Sequence, residues 1–243
     1  MKSILFFVLI FFSKTVLSGT IDPKVSDSEY LDYGSKFNCV AKIKGIVNKE
    51  NFISSCVIIS DNWALTAAHV VKNSTKTEIE LNKKIFEIEK VIINKKFKLE
   101  VMGRNDIALC KSIESFNLNF YPELYDGKEY EKGKVVYICG YGMTGTFEEG
   151  AIKFDNKKRA GSNIIDGIYK NCLICSNLGG TKTKLEFLIA TGDSGGGLFL
   201  NGKLAGINSY VFCIGKDKKS KYGSSSAHTR IKDYLNWIKE NIK

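Results

Sequence analysis

From Phe37 onward the chain is a succession of short apolar runs: "FNCVAKI", "CVIIS", "KIFEIEKVII", "DIALC", "KVVYICGYG", "LEFLIA", "GGLFL" and "KLAGINSYVF". Polar or glycine clusters cut each one off. The runs are rich in β-branched and aromatic residues, and several alternate apolar with polar positions. A strand sends successive side chains to opposite faces, so many such runs at short spacing predict an all-β sandwich or barrel. "GYGMTGTFEEG" and "NGKLAG" offer glycines at hairpin turns. Only the end breaks the pattern. There Ile231, Tyr234, Leu235, Trp237, Ile238 and Ile242 recur at helical spacing, which predicts an amphipathic terminal helix over 231–242 docked on the β body. Asp233 and Glu240 among its lysines argue against a membrane-surface helix.

The first eighteen residues carry a different signal. Lys2 gives a positive start, Ile4 to Phe12 are unbroken apolar residues, and "VLS" precedes a cut after Ser18. This is the order of a secretory leader, and the apolar run is too short to span a bilayer. The expectation is a secreted, extracellular product with no membrane attachment after leader removal. The formal charge is +10, with 36 basic against 26 acidic residues. The lysines are scattered and form no basic helix or arm, so nucleic acid is not an expected partner. A basic surface attracts anionic surfaces or acidic substrates through its long-range field. Seven cysteines, an odd number, leave at least one outside any intramolecular disulfide. Cys172 and Cys175 form a single CxxC with no second pair and no nearby histidine, so neither a metal site nor a cofactor is expected. Asn73-Ser74-Thr75 is a glycosylation sequon.

Three fragments carry the chemistry. "WALTAAHV" places His69 after a buried strand, "NDIALC" places Asp106 at the head of another, and "GDSGGG" places Ser194 in a glycine-rich run. A serine hydroxyl is a poor nucleophile until a base takes its proton, and that base needs a carboxylate to fix its tautomer. Only His69 and His228 can serve as base, and His228 reads as a structural histidine.

With "TAAH", "NDIAL" and "GDSGGG" in that order, followed by "LAGINSY" and the "YLNWIKENI" tail, the sequence resembles the trypsin/chymotrypsin-like serine endopeptidases from about residue 25 to the end. The resemblance implies two six-stranded antiparallel β-barrels, about 25–125 and about 126–230, with the active site in the cleft between them and the C-terminal α-helix after them. It implies a secreted serine endopeptidase acting through an acyl-enzyme, with His69, Asp106 and Ser194 as catalytic residues. The N–H groups of Gly192 and Ser194 would form the oxyanion hole, and Ser209 would support Asp106. Leu188, Ile189, Thr191, Tyr210, Val211 and Ser226 would contact substrate, with the backbone of Tyr210 to Phe212 pairing with an extended peptide. Its partners would be a protein or peptide substrate, an activating protease and a proteinaceous inhibitor, and the chain would be a monomer.

The chain departs from that family in three ways. A disulfide usually links the positions that here read Ser54 and Val70, and a Cys39–Cys56 bond is a candidate substitute; Ala190 likewise lacks the sulfur that would pair with Cys213. No Ile-Val-Gly-Gly-like start is present. That leaves residues 19–24 as a candidate propeptide with Val25 as the new terminus that pairs with Asp193, or else a chain active once secreted. Leu188 or Ile189 stands at the pocket floor in place of an acid, while Val211 and Ser226 narrow the rim. A small apolar P1 preference ranks first, and an acid preference through His228 and Ser224 to Ser226 second. The rival reading from another class is a catalytically silent, protease-like binding protein, and a basic surface-binding factor is a third.

Overall fold

Three hairpins close through two-residue turns whose backbone lies in the left-handed region: Asn48–Lys49 (φ 52° and 69°), Asn82–Lys83 (51° and 67°) and Asn201–Gly202 (50° and 77°). Positive φ at both central residues gives a turn whose twist matches that of the flanking strands, so each hairpin continues into a coiled sheet. The computed structural model describes residues 19–99, 104–213 and 220–242; the leader expected over 1–18 lies outside the described residues.

A two-residue strand β1 (Thr20–Ile21) and helix α1 (Asp27–Ser35) come first. Six strands follow: β2 (Val40–Val47), β3 (Glu50–Ile58), β4 (Trp63–Thr66), β5 (Ser74–Leu81), β6 (Lys84–Ile93) and β7 (Ala108–Ser112), with the short helix α2 (Ala68–Val71) between β4 and β5. They close into a barrel in the order β2-β3-β4-β7-β6-β5. After a crossing segment come β8 (Val135–Gly140), β9 (Thr144–Thr146), β10 (Gly150–Lys153), β11 (Arg159–Tyr169), β12 (Cys172–Ser176), β13 (Phe187–Leu188), β14 (Gly197–Leu200), β15 (Lys203–Phe212) and β16 (Ser225–Arg230). The second barrel closes as β11-β12-β16-β15-β14-β8, and β10-β9-β1-β13 form a small sheet beside it. The all-β fold of two closed six-stranded antiparallel barrels agrees with the sequence expectation. Closure leaves no long unpaired edge and gives each barrel a filled interior.

The terminal segment is a 3-10 turn (Ile231–Tyr234) followed by helix α3 (Leu235–Asn241). Ile231, Tyr234 and Ile238 are buried in the core of the first barrel, although the segment follows the last strand of the second. The segment therefore returns from the second barrel to pack with the residues of the first.

Two local details differ from the sequence expectation. "LEFLIA" yields only the two-residue β13, which pairs antiparallel with β1 through Thr20 with Leu188 and Ile21 with Phe187. The run is apolar because it is buried, not because it forms a long strand. Helix α1 was not anticipated. Only Tyr30 and Gly34 of its nine residues are buried, too few to write a helical period into the sequence. The helix lies on β11, where Arg159, 4% exposed, makes paired hydrogen bonds to Asp27 and Asp155. Tyr30 fastens it further, donating from its hydroxyl to the Glu186 carbonyl (3.0 Å) and accepting from the Asp22 N–H (3.2 Å).

Tyr30→Phe leaves a buried N–H and a buried carbonyl unpaired, so unfolding free energy should fall by about 1–3 kcal/mol. Urea unfolding monitored by circular dichroism checks this, with an unchanged m-value and a lower midpoint expected.

Candidate active site

The two barrels meet where β3 of the first faces the loop before β14 of the second. His69 stands in α2, immediately after β4, and Asp106 sits just before β7, which pairs with β4 through Thr66 and Ala108. Adjacent strands thus deliver the two side chains to one end of the barrel. His69 Nδ1 lies 2.7 Å from Asp106 Oδ2, and the His69 backbone N–H donates to Oδ1 at 2.9 Å. Ser209 on β15 crosses from the second barrel and donates from its hydroxyl to Oδ2 at 2.5 Å, while Thr229 donates to the Asp106 carbonyl at 3.0 Å. Burial raises the Asp106 carboxyl, but the hydrogen bonds from His69 and Ser209 outweigh it, and the pKa lies below the usual carboxylate range. The carboxylate is therefore charged, and with Nδ1–H directed at it the imidazole keeps Nε2 for another partner. The Asp106 loop is also tied to the chain terminus, because Tyr234 accepts from the Asn171 amide and donates to Asn105 Oδ1 at 3.0 Å.

Ser194 lies in the turn that opens β14. The turn needs glycine at two points: Gly192 has φ +91°, and Gly195 has φ +84° with an added Cβ only 2.1 Å from both Ser55 O and Thr66 Oγ1. The Ser194 hydroxyl donates to the Ser209 carbonyl at 3.3 Å. Among the described residues the N–H groups of Gly192 and Ser194 donate to no protein acceptor, which leaves two backbone donors beside the hydroxyl. Such a pair suits a developing oxyanion.

Serines of β3 hold this turn from the other barrel. The Ser54 hydroxyl and the Ser55 N–H both donate to the Ser194 carbonyl, at 2.7 and 3.0 Å. The Ser55 hydroxyl donates to the Gly192 carbonyl at 2.7 Å and accepts from the Tyr141 N–H at 2.8 Å. Sequence reading noted Ser54 only as a missing cysteine, and its partner's position across the barrels could not be seen from spacing. The expected Cys39–Cys56 bond is not formed. The β2–β3 register sets Cys56 opposite Ala41, while Cys39 lies beside Ile58, so the two thiols are a full pleat out of register. Cys39, Cys56, Cys110, Cys139 and Cys175 are buried free thiols. Burial pushes Cys39 up to about 11 and Cys110 up to about 12, which makes them poor nucleophiles.

Asp193, 1% exposed, accepts three backbone N–H groups: Gly142 on Oδ1 (2.8 Å), and Gly19 (2.9 Å) and Ala190 (3.2 Å) on Oδ2. Burial lifts its carboxyl to about 7 against those donors. In the intact chain the Asp193 carboxylate is met by the Gly19 N–H rather than by residue 25. Val25 bonds through its N–H to the Asp22 carbonyl, and residues before it are already built into β1.

Of the expected substrate contacts, Leu188, Ile189 and Ser226 are buried, Tyr210 and Val211 half-buried, and Thr191 exposed. Val211 and Ser226 face each other in the β15–β16 ladder. Ser226 Oγ lies 3.0 Å from His228 Nε2, and His228 Nδ1 lies 2.9 Å from Asn208 Oδ1. Burial pushes His228 down to about 3, so it is a neutral, internally bonded group. Asn208 was missed in the sequence, where it reads as one polar residue in a strand. Asn73 is exposed, as a modifiable asparagine must be.

A family model described as Trypsin matches residues 33–238. A trypsin of Simulium vittatum is 26% identical, covering 89% of this chain and 95% of that protein. Trypsin I-P1 of Gallus gallus is 27% identical over 76% of this chain and 77% of its own. Among solved structures, neuropsin, a serine protease expressed in the limbic system of mouse brain, superposes with a TM-score of 0.67 at 21% identity, over 85% of this chain and 95% of that one.

Ser55→Ala removes the hydroxyl that serves Gly192 and Tyr141 together. It should cost about 1–3 kcal/mol of stability and leave the Tyr141 N–H without its acceptor. Hydrogen exchange resolved at residues 139–143 should then be faster in the variant, with distant strands unchanged.

Proposed function

Given that the chain belongs to the trypsin family, we propose that it is a secreted serine endopeptidase that hydrolyses protein or peptide substrates through an acyl-enzyme. The observation that carries this reading is the bonded series Ser209–Asp106–His69 set beside Ser194, with two backbone N–H groups left to bind an anion. In the reaction, the Ser194 hydroxyl turns from the Ser209 carbonyl to His69 Nε2, gives up its proton and attacks the scissile carbonyl. Asp106 stabilises the imidazolium that forms, and the Gly192 and Ser194 N–H groups take the oxyanion. His69 then protonates the leaving amine, and water, activated by the same imidazole, releases the acyl group.

The substrate strand has a place to lie. The β14–β15 ladder ends at Gly197 with Ile207, while β16 continues to pair with Tyr210, Val211 and Phe212. Among the described residues, one edge of β15 past Ser209 is therefore open for an added strand. Specificity follows from what surrounds the pocket. Leu188 and Ile189 are apolar and buried, Val211 pairs with buried Ser226 across the β15–β16 ladder, and neutral His228 offers no charge to a carboxylate. These features support a small apolar P1 residue over a basic or an acidic one.

A fluorophosphonate probe should label the mature protein at Ser194 and leave Ser194→Ala unlabelled; an unlabelled wild type sinks the reading. Asp106→Asn should lower kcat by about ten-thousandfold, because the imidazole is then held in the wrong tautomer. A peptide-library digest should show cleavage after small apolar residues, and cleavage confined to Lys, Arg or Glu would refute the proposed preference.

A further inference from the structure

Residues of both barrels line a cavity of about 600 Å³ to which none of His69, Asp106 and Ser194 contributes. Helix α1, the turn between β5 and β6, the crossing segment over 117–122 and strands β8 and β14 each supply part of its wall. Much of the lining is aromatic. Tyr137, Tyr33, Phe37 and Phe199 follow one another in contact, with ring centroids 5.4, 5.5 and 5.0 Å apart. Phe120 of the crossing segment joins them and is 69% exposed. Small-molecule sites are concave, mostly apolar, furnished with a few polar groups, and enclose roughly 300–1,000 Å³. The wall gives an extended peptide no purchase: Tyr137 and Phe199 face each other in the β8–β14 ladder, and each strand has its second partner in β11 or β15. A compact ligand suits it better than an added strand.

The polar part of the lining sets the sign of that ligand. Among the described residues no aspartate or glutamate lines the cavity, and Lys36 is its one charged side chain. The Lys36 ammonium lies 5.1 Å from the Tyr33 ring centroid, so the protein's own cation already takes a ring face that could have held a cationic ligand. A second ammonium stands behind the wall, where Lys158 donates to the carbonyls of Phe37 (2.7 Å) and Val40 (3.2 Å). Among the described residues neither lysine pairs with a carboxylate. Asn38, Asn82 and Asn119 also line the cavity, and their side-chain amides bond to no protein group among the described residues. Aromatic rings, unneutralised positive charge and idle amide donors together match an anion carried on a flat ring.

We propose that this cavity binds a small aromatic carboxylate, with its ring against Tyr33, Phe37 and Phe120 and its carboxylate paired with Lys36. The site is separate from the catalytic residues, so the inference stands whether or not the chain cleaves peptides.

Isothermal titration of the protein from Gly19 onward compares three probes of similar shape: naphthoate, neutral naphthamide and cationic naphthylmethylamine. Naphthoate should bind saturably with one molecule per chain. The amide should bind about fivefold more weakly, on the scale of one exposed ion pair, and the amine should not bind. Lys36→Gln should bring naphthoate down to the affinity of the amide. Phe120→Ala should weaken naphthoate and naphthamide alike by about tenfold, the loss of one aromatic contact. Both side chains are exposed, and unchanged melting of the ligand-free variants checks that the fold is kept. Absence of saturable naphthoate binding, amide or amine binding as tight as naphthoate, or naphthoate binding that survives either substitution unchanged overturns the proposal.

Discussion

The structure turns on the contact between β3 and the Gly192–Gly195 turn. Each barrel is closed on itself and could exist without the other as far as its strand ladders are concerned. What joins them at the site is a small set of hydrogen bonds in which Ser54 and Ser55 take the carbonyls of Ser194 and Gly192, while Gly195 packs against Ser55 and Thr66 with no room for a side chain. His69 and Asp106 belong to one barrel, Ser194 and Ser209 to the other, and this seam aligns them together with the bonds from Ser209 and Thr229 to Asp106. The seam is buried and polar, the condition under which hydrogen bonds hold geometry best and are most costly to leave unmade.

Those serines join the barrels by hydrogen bonds, and no disulfide links Cys39 to Cys56 beside them. A disulfide acts mainly on the unfolded chain, by shortening the loops it can explore, whereas a hydrogen-bonded seam acts on the folded state alone. Five thiols are instead buried as small apolar groups, with Cys56 directed at the Ala41 carbonyl. Their packing contributes to the cores, and burial keeps them unreactive.

Much of this was legible in the sequence because it depends on local pattern. Strand alternation, the glycine turns and the helical period after Ile231 each report short-range geometry, and they pointed to an all-β body and the terminal helix, while the division into two barrels came from the resemblance. His69, Asp106, Ser194 and Ser209 were found through motifs in which neighbours reveal the role. What stayed hidden involves partners far apart in the chain. Asp193 and Gly19 are 174 residues apart, and nothing beside either residue names the other. Ser55 looks like any strand serine until Tyr141 and Gly192 are brought against it. Helix α1 escaped notice because it buries little apolar surface and is fixed by Arg159 and Tyr30, whose partners lie elsewhere.

The terminal segment has a consequence in time. Ile231, Tyr234 and Ile238 complete the core of the barrel that is synthesised first, and Tyr234 fastens the loop that carries Asp106. Chains emerge from the ribosome with the N-terminal part ahead, and barrels tend to fold as units. Here residues 231–238, which pack into the first barrel's apolar cluster, follow the second barrel in the chain, so that cluster and the clasp on the Asp106 loop are completed only after the second barrel has been made. A chain synthesised only through its first barrel therefore holds its histidine and carboxylate in an unfinished frame, which a segment made after the second barrel sets.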